Sequence, residues 1–157
     1  MYWSRLCTAS DGHTPNEIAA AWKISVKKLE GSFGHYKVTD FPQASGFLGK
    51  DPNDHHVHSA AVHCKADIVL TNDREGLLSS GGSEDSLPYE IWKPDEFFCY
   101  VDDCAPSIVC TVTRKQRDYW GKRIPEGTDL PETLTRAGLP LFAERIRKHL
   151  LQIALQG

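Results

Sequence analysis

The chain has 157 residues, of which 40% are hydrophobic and 25% charged. That composition excludes a disordered chain, and the length fits a single compact unit. Eighteen Lys and Arg against twenty-one Asp and Glu give a net charge of −3, which excludes a cationic coat for nucleic acid but not a local basic patch.

No apolar run is long enough for a membrane helix, and the start, Met1-Tyr2-Trp3-Ser4-Arg5, lacks a charged lead followed by an apolar stretch. The expectation is a soluble cytoplasmic protein. The five cysteines are odd in number and form no C-x-x-C pair, so reduced, buried or half-buried thiols are expected.

Thr14-Pro15 opens the first predicted helix, with Glu17 completing a capping box. Ile18, Trp22, Val26, Leu29 and Phe33 continue it as one apolar stripe. The segment 36–39 reads as a short strand and 41–50 as a loop. Asp51-Pro52-Asn53-Asp54 then starts a second helix, because Asp caps and Pro suits the first helical position. The run 67–71 is the clearest strand, and its Ile-Val-Leu centre predicts burial on both faces, as in a parallel sheet. A polar loop (79–86) leads to a second short strand (88–92).

Pro94 and Pro106 each start a further helix. In the second of these, Ile108, Val109, Val112, Gln116 and Tyr119 are the expected packing stripe. A short helix at 131–137 stops at Gly138. A terminal amphipathic helix follows, with Leu141, Phe142, Ile146, Leu150 and Ile153 inward and Arg145, Arg147 and Lys148 on its wet side.

Three constellations bear on chemistry. Asp54 lies in the first turn of a helix, and Asp73 lies two residues past a strand that the helix precedes. If helix and strand run antiparallel, both carboxylates reach the carboxyl end of the sheet, where α/β proteins place their sites. Converging carboxylates suit a hard divalent cation. The plainer reading gives Asp54 to the helix dipole and Asp73 to a turn cap. His55 and His58, with Asp54, have zinc-ligand chemistry but not the H-E-x-x-H spacing, and surface or half-buried imidazoles are the alternative. Arg114, Lys115, Arg117, Lys122 and Arg123 interleave with Tyr119 and Trp120. Such a cluster suits single-stranded nucleic acid or is simply a solvated face.

The stretches Asp51-Pro52-Asn53-Asp54-His55-His56-Val57-His58-Ser59-Ala60-Ala61 and Ala66-Asp67-Ile68-Val69-Leu70-Thr71-Asn72-Asp73 resemble the second half of a PIN domain, in its VapC-type bacterial branch. Pro94-Asp95-Glu96-Phe97-Phe98 and Ala137-Gly138-Leu139-Pro140 are similar to the same branch, so the resemblance runs in order over residues 14–150. It implies a three-layer α/β/α fold with a parallel sheet, and Mg²⁺- or Mn²⁺-dependent cleavage of RNA by a toxin paired with an antitoxin protein.

By motif, Asp54 matches the family's third acid, Asp73 its fourth and Thr71 the hydroxyl residue beside it. Asp51 stands close enough to support them. The family's pattern opens with a strand ending in Asp and a helix bearing Glu, and neither precedes Tyr2-Trp3. The resemblance therefore implies an N-terminally incomplete domain, beginning about fifty or sixty residues late. With it come weak metal affinity, low or no cleavage, and pairing with a second copy or another protein across the missing strand. The expected organisation is a partial PIN-like α/β domain over 1–103 and a C-terminal helical extension over 104–157. A non-catalytic PIN-like module that binds RNA or protein is the alternative.

Overall fold

The computed structural model describes Gly31, residues 37–124 and residues 128–156. The predicted helix over 14–33, apart from Gly31, lies outside the described residues, as do Cys7 and Tyr36. The chain divides into two compact units, Met1–Phe41 and Pro42–Gly157. Residues 37–39 of the first unit are irregular rather than the expected strand, and no described strand pairs with them.

The second unit is mixed α/β and mostly helical. It begins with a 3-10 turn, Pro52–Asp54, which runs directly into α1 (His55–Cys64). Asp51 caps the turn by accepting from the Asn53 N–H at 2.9 Å, and Pro52 supplies a preset φ. Lys65 ends α1 in the left-handed region at φ 54°, which lets its N–H and that of Ala66 close on the Val62 and Ala61 carbonyls.

Next come β1 (Ile68–Leu70), α2 (Arg74–Leu77), a 3-10 turn (Glu84–Ser86) and β2 (Glu90–Trp92). Four helices follow: α3 (Pro94–Cys104), α4 (Pro106–Gly121), α5 (Leu130–Arg136) and α6 (Pro140–Gln156).

β1 and β2 pair in parallel, with Val69 opposite Ile91 and Leu70 opposite Trp92. A single parallel bridge between Leu48 and Leu78 lies outside this pair. The core beneath the pair gathers Ala61, Leu77, Leu78, Leu87, Tyr89 and Ile91, with Phe47, Val57 and Val69 against them. Burial on both faces of β1 does not hold, because Leu70 is 43% exposed. Side chains alternate along a strand, so Val69 turns towards the core while Leu70 turns away from it.

The remaining helices form a bundle in which α6 packs against α3, α4 and α5. Val109, Ala143, Ile146 and Ile153 are buried in it. Of the apolar stripe expected on α4 only Val109 faces inward: Ile108 is 64% and Val112 50% exposed, while Thr113, outside the stripe, is buried. Thr113 qualifies for the interior because its hydroxyl donates to the Val109 carbonyl four residues back, at 2.8 Å. On α6, Ile146 and Ile153 are buried and Arg147 and Lys148 exposed as expected, but Leu141 is exposed and Arg145 turns to Asp102 and Asp103.

α6 starts against α3. Buried Asp95 accepts the N–H groups of Leu141 and Phe142 at 3.0 and 2.9 Å, so a carboxylate 46 residues away caps that helix. Asp95→Ala is expected to lower unfolding free energy by about 1–2 kcal/mol, read as a shift in the urea midpoint at unchanged slope.

Candidate functional site

Asp54 closes the 3-10 turn and precedes α1, yet its carboxylate makes no capping hydrogen bond there. It is half-buried and turned towards α2. Asp73 follows β1 and caps α2, where its Oδ1 accepts the Gly76 N–H at 2.9 Å. Its own N–H donates to Thr71 Oγ1 at 2.9 Å, and the Thr71 N–H donates to the Trp92 carbonyl at 3.0 Å. The end of the parallel pair thus holds Thr71, and Thr71 holds the backbone of Asp73.

The two carboxylates meet beside Gly76. A Cβ on that glycine would overlap Asp54 Oδ2 and stand 3.1 Å from both Asp73 Cγ and Asp73 Oδ2. Burial raises the Asp54 pKa from its ordinary value, and the negative charges of Asp51 and Asp73 add to the rise, while His56 pulls it down. Two like charges are therefore held together at a cost that a shared cation would offset.

The sign of the linkage is definite. A raised folded-state pKa gives a contribution to stability that is complete below the unfolded value of 3.8 and is lost as pH rises through the folded value. Asp54→Asn is accordingly expected to raise the thermal midpoint at about neutral pH, with the gain shrinking as pH falls towards the unfolded value. Melting curves of both proteins in chelator across that range check this.

The oxygen-only pair fits a hard divalent ion that keeps several waters. Among the described residues, no group of three or more His, Cys, Asp or Glu is arranged to hold a metal. Asp51 contributes its charge, but its carboxylate accepts from the N–H and side-chain amide of Asn53. The cations nearest in sequence are already paired, Lys50 with Glu75 and Arg74 with Glu84.

The zinc constellation is corrected by the structure. His55 ring nitrogens lie 2.7 Å from Gln43 Nε2 and 2.7 Å from the Ala44 carbonyl oxygen. Buried His58 has Tyr89 Oη at 2.9 Å and the Ser45 carbonyl oxygen at 3.1 Å. All four ring nitrogens serve as ties between α1, the 43–45 segment and Tyr89.

Arg114, Lys115 and Arg117 stand on α4, exposed and on a different element from the acids. Arg117 forks onto Asp118 at 2.9 and 2.8 Å. Nearby, Tyr119 and Trp120 meet edge to face at 5.1 Å, and the Arg123 guanidinium sits 3.6 Å from the Tyr119 ring centre.

Sequence reasoning passed over Gly76, the residue that touches both carboxylates. The available signal was a glycine three positions after a capping Asp, inside a helical turn that does not favour it. It also passed over the buried Asp102–His149 contact of 2.6 Å, which joins α3 to α6.

Residues 94–148, covering α3 to α5 and half of α6, match the model of the family described as VapC50 C-terminal domain. No curated protein and no solved structure matches the chain. The helical part is thus similar to a domain of a VapC-related family.

Proposed function

We propose that the chain is a PIN-like, metal-dependent endoribonuclease of the toxin type, with low or no cleavage activity. The observation that carries the reading is the meeting of Asp54 and Asp73 beside Gly76, just past the carboxyl end of β1. The match of residues 94–148 to a VapC50 C-terminal domain supports it independently. The parallel β1–β2 pair, with α1 packed on its Val69 face, also supports this reading.

Asp54 and Asp73 would hold Mg²⁺ or Mn²⁺, and Thr71 keeps Asp73 in place through its backbone N–H. Such a cation supplies Lewis acidity towards a phosphodiester and a more acidic water. Two carboxylates just balance a divalent charge and leave most of its coordination to water, so affinity is weak and turnover slow. The partners are an RNA substrate, an antitoxin protein and a second copy of the chain, in the cytoplasm. No described helix is long and apolar enough to cross a membrane.

The test is incubation of single-stranded RNA with the purified chain in Mn²⁺ and in EDTA. Slow or undetectable cleavage is expected, with any Mn²⁺-dependent product lost in Asp54→Ala. Cleavage that persists in EDTA, or that survives Asp54→Ala, would overturn the assignment. Rapid Mn²⁺-dependent cleavage would overturn the low activity.

A second reading, a non-catalytic RNA-binding module, is favoured by α4, where exposed Arg114, Lys115 and Arg117 stand beside Tyr119 and Trp120. Cations hold phosphates and aromatic faces stack on bases. Under this reading RNA affinity is the same in EDTA and Mn²⁺, and a triple change of these cations to Glu removes it.

A further inference from the structure

α2 is a single helical turn, and its third residue is Gly76. A helical turn favours alanine over glycine, since glycine loses more backbone freedom on folding. Nor does the backbone require glycine there: the described glycines with positive φ are Gly46 and Gly138. The atoms nearest to a Cβ at Gly76 all belong to two carboxyl groups. Asp54 Oδ2 would overlap it, and Asp73 Cγ and Oδ2 would lie at 3.1 Å. The Gly76 N–H meanwhile donates to Asp73 Oδ1 at 2.9 Å.

We infer that Gly76 is the positioning residue of the acid pair: its N–H orients Asp73, and its missing side chain leaves the space in which the Asp54 carboxylate lies beside Asp73. The metal consequence rests on the function proposed above, whereas the steric relation does not. An added methyl displaces Asp54 from Asp73, because Gly76 is buried and Asp73 is tied to its N–H and to Thr71. Asp54 has no capping bond to hold it against that displacement.

The test uses the full chain and a double-mutant cycle of Gly76→Ala and Asp54→Ala, with thermal midpoints in EDTA and Mn²⁺ affinity by calorimetry. In the parent chain, Gly76→Ala is expected to lower the midpoint by several degrees and Mn²⁺ affinity by about 10- to 100-fold, the usual effect of disturbing residues that orient a ligand. In the Asp54→Ala background the same change leaves the midpoint unmoved or raises it, since the obstructing oxygen is gone.

Folding of the double variant when Gly76→Ala alone unfolds would support the inference equally. An equal loss of midpoint in both backgrounds would overturn it, as would Mn²⁺ binding by Gly76→Ala as tight as the parent's. If the parent binds no Mn²⁺ at all, the metal assignment of the pair falls, and the cycle in EDTA still decides what Gly76 does.

Discussion

His58→Ala is expected to lower the unfolding free energy by about 3–5 kcal/mol, from a cavity plus stranded polar groups. The ring is 1% exposed, with the Phe47 and Tyr89 rings each 5.8 Å away between centres. A carbonyl oxygen only accepts, so the contact to Ser45 assigns the proton to His58 Nε2, and Nδ1 then accepts from the Tyr89 hydroxyl. Truncation strands that hydroxyl and that carbonyl in the same step. Burial already raises the Tyr89 pKa, so the phenol stays neutral and available as the donor. Urea denaturation at unchanged slope measures the loss. The loss is expected to be the same with and without added zinc; zinc-dependent stability that vanishes in His58→Ala would restore the metal-ligand reading of this histidine.

Asp102→Ala is the second large effect, expected at about 3 kcal/mol. Asp102 and His149 are both buried and 2.6 Å apart, and His149 Nδ1 has no hydrogen-bond partner. Removing the carboxylate leaves that imidazole buried with neither ring nitrogen bonded. Arg145, which also reaches Asp102 at 3.4 Å, keeps its contacts to Asp103. Asp103→Ala is therefore the control: that carboxylate is exposed, and its loss is expected to cost under about 1 kcal/mol. Equal losses in the two variants would show that the Asp102–His149 contact does not fasten α6 to α3. The pair matters to the site because β2 passes into α3 through Lys93 alone, and the Trp92 carbonyl at that junction holds Thr71.

Much of the candidate site was legible one element at a time. The Asp51-Pro52 start and the Asp73 turn are set by contacts within a few residues. Asp54 and Asp73 could be assigned to their elements from such patterns alone. The space that Gly76 leaves for the two carboxylates could not, because no periodicity records an absent side chain. The histidines of α1 failed as a metal motif for a related reason. Their spacing allows ligation, but their partners, Ala44, Ser45 and Tyr89, come from other parts of the chain.

The amino-acid order by itself determined where α3 and α4 begin and where α5 ends. Pro94 and Pro106 open α3 and α4, and Gly138, at φ +85°, follows the close of α5. These are effects of φ restriction and unsatisfied backbone groups, which act over one turn. Only the tertiary structure decided which faces are covered. Thr113 is buried while Ile108 and Val112 are not, and Leu70 lies open beyond the core side of β1. Burial depends on the neighbour that arrives from tens of residues away, and hydrophobicity along one helix carries no record of where that neighbour will stand.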